Sequence, residues 1–218
     1  MNNQSGVTLI SLLVGLLIGI LCILAVLSAY RTIVKAGVES RKASTHDTQL
    51  QSGLTTAQML LQNAGFGLDG ASNLLSTTLQ MESKSVKVVL WRLKLGTKIS
   101  CQGLADVENS NNKKRRFVLL KGLLDDAGAD CNETANLGSF KWKIQTNLAE
   151  LDDYSSDQSN PNQISFEQTV STCTPFGVGG SSDSVSHPLI MISAQTSTQK
   201  IAGLGQVKVP VCIVNIVS

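Results

Sequence analysis

The residue types that most often carry catalysis are sparse in this chain of 218 residues. It has two histidines, His46 and His187, and no H-E-x-x-H, G-x-S-x-G or P-loop sequence accompanies either of them. His46 falls within a helical pattern and His187 precedes Pro188, so we predict that both are solvated. The sequence therefore predicts a protein that is not an enzyme, with no cofactor and no small-molecule substrate.

Three aspartates come nearest to a metal-binding pattern. Asp152, Asp153 and Asp157 lie close together but lack the ordered D-x-[DN]-x-[DN]-G spacing of a calcium loop. A solvated turn is the simpler interpretation, and we predict no metal site.

Four of the five cysteines are spread through the part of the chain that follows the helical region, at Cys101, Cys131, Cys173 and Cys212. None has the close C-x-x-C spacing of a zinc or thioredoxin site, so two structural disulfides in an oxidising compartment are expected. Three connectivities remain open. We favour the sequential pairing, Cys101 with Cys131 and Cys173 with Cys212. The fifth, Cys22, lies in an apolar run and acts there as a small apolar side chain.

One basic cluster, Lys113, Lys114, Arg115 and Arg116, follows a polar run in a predicted hairpin loop. Such a cluster can contact DNA phosphates or lipid headgroups. However, no aromatic residues are interleaved for base stacking, and the net charge of the chain is only +2. A solvated loop is therefore favoured over a nucleic-acid site.

The 24 residues 7–30 contain no charged side chain. As a helix they would extend roughly 36 Å, enough to cross a bilayer. The apolar region of an ordinary secretory signal is shorter, and it ends at a small-residue cleavage site that Ser28-Ala29-Tyr30 provides only poorly. The helical pattern continues without proline through residues 31–64, and Gly65 and Gly67 are expected to end it.

The remainder, residues 65–218, has β-branched runs between polar stretches, which predicts a head of antiparallel strands. The fold class expected is α+β, with one long amino-terminal helix packed on this sheet. Val38, Leu50, Leu54 and Leu61 are the predicted contacts on the helix. The candidate strands are residues 86–95, 117–120, 140–145, 164–170, 189–196 and 207–217.

MNNQSG followed by VTLISLLVGLLIG resembles the class III signal of type IV prepilins and of type II secretion pseudopilins. The resemblance implies a leader of residues 1–6, cut after Gly6 by a prepilin peptidase, and N-methylation of the new terminus Val7. The apolar helix would stay on the mature chain, with residues 7–30 in the membrane or filament core and 31–64 in the periplasm. Gly15 and Gly19 form a small-xxx-small pair that favours close helix packing.

Three features depart from that family pattern: the residue at position 7, the charge of the leader and the residue at position 11. Val7 stands where phenylalanine is usual, and the leader has no Lys or Arg, so the positive-inside rule alone favours the opposite orientation. The leader motif and the cysteines outweigh that rule. Ser11 occupies the fifth mature position, where most members have a glutamate that is thought to meet a neighbouring amino terminus. A special place such as the tip, or drift in a minor component, explains Ser11 equally well.

LQSGLTTAQMLLQNAGFGLDG, residues 50–70, is similar to the helix-to-head region of PilW-type minor pilins and, less closely, of the J-type minor pseudopilin. The resemblance implies a single-pass inner-membrane protein that assembles with other minor pilins and the major pilin and then enters the extracellular pilus. A minor pseudopilin and an adhesive or DNA-uptake tip subunit remain the alternatives.

Overall fold

A computed structural model describes residues 8–109, 114–125, 128–157, 159–173 and 186–217. One long helix precedes eight strands, so the predicted α+β fold is confirmed. The chain divides into two compact units at Ser44/Thr45, and the second unit, the head, includes the end of the helix. The elements are α1 (Leu9–Gln62), β1 (Leu74–Met81), β2 (Lys84–Leu95), β3 (Lys98–Glu108), β4 (Arg115–Leu123), β5 (Lys141–Leu151), β6 (Ile164–Ser171), β7 (His187–Gln195) and β8 (Gln206–Cys212).

The part of α1 that belongs to the head buries one face. Buried positions recur every three or four residues, as expected for a helix lying on a core. Leu50, Leu54 and Leu61 are buried as predicted, whereas Val38 is exposed and its predicted contact is wrong. The buried residues of α1 are His46, Leu50, Gly53, Leu54, Ala57 and Leu61.

Gly53 lies where α1 comes closest to the sheet. A Cβ at this position would be 3.2 Å from the Cβ of Ala149 and 3.3 Å from the carbonyl oxygen of Leu148. Glycine in a helix costs about 1 kcal/mol relative to alanine. Here the absence of a side chain lets the helix backbone approach β5.

The carboxyl end of α1 is held by the end of the chain. The side chain of Asn215 donates to the carbonyl oxygens of Gln62, at 2.8 Å, and Ala64, at 3.2 Å. Gly65 follows with φ of 77°, and a Cβ there would be 2.3 Å from a side-chain carbon of Ile216. Carbonyl groups that the last helical turn leaves without partners are thereby satisfied, and the predicted glycine stop is confirmed.

The first sheet contains β1 to β5 in sequence order, all antiparallel, and the second contains β6, β7 and β8. One face of the first sheet shares a core with α1 and the second sheet, through residues such as Trp91, Phe117 and Ile192. The other face has its own core, which includes Leu90, Val118 and Phe140. Because both faces of the first sheet are covered, its central strands are buried on both sides.

Six of the strands overlap the predicted ones, and β1 and β3 were missed. In β3, Gly103 and Asp106 are residue types that strands disfavour. Arg115 and Arg116, which were predicted to lie in a hairpin loop, instead begin β4, and Arg116 pairs with Val107 near the end of β3.

Candidate functional site

The amino-terminal part of α1 presents an uninterrupted apolar surface. The most apolar window of 18 residues contains no buried residue, and residues such as Leu13, Leu17 and Leu24 are more than half exposed. The helix is therefore long and apolar enough to cross a membrane once. An exposed apolar surface of this size requires lipid or other helices to cover it.

The predicted assembly residues lie on this surface. Ser11 is in the first turn, where its hydroxyl is 2.7 Å from that of Thr8, and its backbone N–H donates to the Thr8 hydroxyl at 3.4 Å. Thr8 thus serves as an N-cap, with Ser11 at the third helical position. Apart from the backbone of α1 and the adjacent residues, no atom of the described residues comes within 4 Å of a Cβ built on Gly15 or Gly19, so both leave open space beside the helix. Gly6 and Val7 lie outside the described residues.

The four predicted disulfide cysteines are brought together in two pairs. Cys101–Cys131 joins β3 to the segment beyond β4, and Cys173–Cys212 joins the segment after β6 to the end of β8. This is the sequential pairing favoured from the spacing. Cys22 is free and exposed on α1.

The Cys101–Cys131 disulfide belongs to the core on the outer face of the first sheet, the face turned away from α1. Beside Cys101, the Trp142 ring lies over two glycines, 3.4 Å from a Cβ built on Gly103 and 3.0 Å from one built on Gly122. The loop after Cys131 is held by the buried guanidinium of Arg92, which donates to the Asn132 carbonyl at 2.9 Å and to two further carbonyls of that loop. The disulfide, the indole and the guanidinium together cover the outer face of the first sheet.

The basic cluster does not form a loop of free cations. Lys113 lies outside the described residues, Lys114 pairs with Asp152 at 2.8 Å, and Arg116 pairs with Glu82 at 3.2 Å. Arg115 and Arg116 belong to β4, and Arg115 is only 7% exposed. The placement of all four residues in a contact loop is therefore wrong, because Arg115 is directed inward to a buried carboxylate.

That carboxylate is Asp106, the centre of a polar network that was not predicted from the sequence. Its Oδ1 accepts from Nε of Arg115 at 2.8 Å. Its Oδ2 accepts from the backbone N–H groups of Gln163, at 2.7 Å, and Ile164, at 2.9 Å. Asp106 is in the first sheet and Ile164 begins the second, so one buried carboxylate ties the two sheets together. A charged residue at a central strand position was the available signal.

Neither histidine is a freely solvated side chain, contrary to the prediction. His46 is 2% exposed, and its Nδ1 accepts from the backbone N–H of Asp152 at 3.1 Å. Burial lowers the pKa of His46 below its usual value, although the nearby Asp47 and Asp152 carboxylates oppose the shift. His187 is partly buried, and its Nδ1 donates to the Ile216 carbonyl at 2.8 Å.

The acidic stretch after β5 organises its own backbone. Asp153 accepts from the N–H groups of Ser155, at 2.7 Å, and Asn160, at 2.8 Å, and Asp157 accepts from that of Ser159 at 3.3 Å. The bonds from Ser155 and Ser159 are those of Asx-type turns, and the bond from Asn160 closes a longer loop. In the part of the chain that the structure describes, no group of His, Cys, Asp or Glu side chains is arranged to hold a metal ion.

The contacts that the structure shows for these residues are packing contacts, hydrogen bonds, ion pairs and two disulfide cross-links. Among the described residues, the amino-terminal part of α1 carries a long run of exposed large apolar side chains, from Leu9 to Val38. Comparison with known proteins finds no matching family model, no matching curated protein and no matching solved structure.

Proposed function

We propose that this chain is a minor type IV pilin, which assembles with other minor pilins to prime pilus growth and sits at or near the tip. The observation that carries the proposal is α1, a single helix of 54 residues. Its amino-terminal part is apolar and exposed, and its carboxyl-terminal part belongs to the core of the head. One element thus serves as membrane anchor and as scaffold of the head.

A helix of this kind suits a subunit that moves from a bilayer into a filament. Both surroundings are apolar, so the same uncharged surface is compatible with each. Cleavage by a prepilin peptidase after Gly6 would leave the whole span on the mature chain, with Val7 methylated. The two disulfides agree with a head in the periplasm of a bacterial cell and later outside it.

Ser11 supports the proposal that this chain is a minor subunit and not the one repeated along the filament. A hydroxyl cannot supply the charge of the usual glutamate, and that of Ser11 is already beside the hydroxyl of Thr8. A subunit that meets few amino termini, as at a filament end, tolerates this loss more readily than one repeated along the whole filament.

A minor pseudopilin of type II secretion has the same helix and is the closest alternative. An adhesive or DNA-uptake role receives less support, because Lys114, Arg115 and Arg116 each pair with a carboxylate. Phosphate binding would have to compete with those ion pairs.

Deletion of the gene separates these roles. We expect the deletion strain to lose most of its surface filaments and to regain them when the wild-type gene is restored, as counted by electron microscopy and by the pilin sheared from cells. Intact filaments with blocked export of secreted enzymes would instead identify a pseudopilin. Intact filaments with lost adhesion or transformation would identify a tip receptor, and an unchanged strain would contradict the whole proposal.

A further inference from the structure

His46 lies where three segments of the head meet. It is on the part of α1 that belongs to the head, and its Nδ1 accepts the backbone N–H of Asp152 just after β5. The backbone of Gln195, at the end of β7, lies near the ring, but Nε2 has no regular hydrogen-bond partner among the described residues. The ring of Tyr154 packs edge-on against it, with centroids 5.0 Å apart. A single buried imidazole therefore fastens the segment after β5 to α1.

The hydrogen bond to Asp152 exists in only one protonation state. An N–H group can donate only to a nitrogen with a lone pair, so Nδ1 must be unprotonated and the proton of the neutral ring must be on Nε2. A second proton would turn Nδ1 into a donor facing another donor. It would also place a positive charge on a side chain that is 2% exposed.

The charged groups around the ring are already engaged. On α1, Asp47 accepts from the backbone N–H and hydroxyl of Ser197, at 2.8 and 2.6 Å. After β5, Asp152 forms an ion pair with Lys114, which precedes β4 and opposes a charge on the ring. Tyr154 is the remaining titratable group that faces the ring. A positively charged His46 ring could form an ion pair only if Asp47 or Asp152 left its present partner.

We propose that His46 is an acid-sensitive latch, which holds the segment Asp152–Tyr154 against α1 while it is neutral and releases that segment when it is protonated. The bond between Asp47 and Ser197 is a separate fastening of α1 to the turn after β7 and does not involve the ring. Acidification thus releases the segment Asp152–Tyr154 from α1 and leaves the turn after β7 bound to α1. This latch does not depend on the proposed role in a pilus.

The direction of the pH dependence follows from the lowered pKa. The His46 imidazole binds a proton more readily in the open form than in the closed form, so the closed form loses stability as the pH falls below 6.5. For each pH unit by which the pKa of His46 is lower in the closed form than in the open form, acidification can increase the equilibrium constant for opening about tenfold. Burial raises the pKa of Asp106, so the folded state binds a proton there more readily and gains stability as the pH falls. This effect is opposite in sign to that of His46. Asp106 therefore does not account for acid opening.

Hydrogen exchange of single amides in the full chain in detergent micelles tests the latch. After correction for intrinsic exchange rates, protection of the Asp152 amide should fall about tenfold between pH 7.5 and pH 5. The amides of Ser197 and Ile164, bound by Asp47 and Asp106, should keep their protection. An equal fall at all three amides, or no fall at Asp152, would overturn the proposal.

Two asparagine variants provide the matched comparison. His46→Asn replaces Nδ1 with an acceptor that does not titrate, so the change in Asp152 protection between the two pH values should disappear, even if the absolute protection is lower. His187→Asn removes the other histidine, whose Nδ1 donates to Ile216 in either protonation state. This variant should retain the pH response of the wild type. A response that survives in His46→Asn would contradict the latch.

Discussion

Replacing Asp106 with alanine should lower the free energy of unfolding of the head by about 3 to 5 kcal/mol. The change leaves the Arg115 guanidinium buried without its carboxylate, and it leaves the backbone N–H groups of Gln163 and Ile164 without their acceptor. Unpaired buried donors and charges are among the few causes of effects this large. Chemical denaturation of the full chain in micelles, followed by the fluorescence of Trp91 and Trp142, measures the loss.

Two further variants calibrate that result. Asp106→Asn keeps the shape and one acceptor oxygen but loses the charge, so its effect should fall between those of the wild type and alanine. Lys121→Ala breaks an ion pair with Asp130 in which both side chains are about half exposed, so it should change stability by less than about 1 kcal/mol. A loss for Asp106→Ala as small as that for Lys121→Ala would show that the network does not hold the sheets together.

Removing either disulfide should also cost about 4 kcal/mol. The bridges Cys101–Cys131 and Cys173–Cys212 close loops with sequence separations of 30 and 39 residues, and the estimate rests on the chain entropy that such closure removes from the unfolded state. The loss of both bridges would approach the total stability of an ordinary domain, which is about 5 to 15 kcal/mol. We therefore expect the fully reduced head to be largely unfolded at 37 °C.

Paired cysteine-to-alanine variants and thermal unfolding measure each bridge separately. Cys22→Ala is the matched control, because that cysteine is free and exposed and its replacement should leave stability unchanged. Peptide mapping without reductant checks the pairing itself. Mixed pairs, or a melting temperature that does not respond to reductant, would contradict the two bridges.

The sequence predicted the elements with strong periodicity and missed those whose residues have a second role. The apolar run, the glycine stop and six strands follow from local pattern. In β3, Gly103 leaves room for Leu90 and the Trp142 ring, and Asp106 binds across to the second sheet, so neither residue carries a strand pattern. The packing around Gly103 and the hydrogen bonds of Asp106 both involve segments that are distant in the sequence.

The same limit applies to the charged and ionisable residues. Arg115 and Lys114 are adjacent in sequence, yet one is 7% exposed and the other pairs with Asp152 near the surface. His46 interacts with a segment 106 positions further along the chain. Local sequence cannot distinguish such residues from solvated ones, because burial is set by which strands happen to face them. Val38 was wrongly predicted as buried, since its helical spacing is also that of a helix exposed all round.

The central proposal concerns the amino terminus of the mature protein. Mass spectrometry of the chain purified from membranes of a host with a prepilin peptidase tests it directly, with a strain that lacks the peptidase as control. We predict a mature chain that begins with N-methylated Val7 in the first strain and an uncut chain in the second. An intact Met1 in both strains, or a start near Tyr30, would contradict the assignment to the pilin-like proteins.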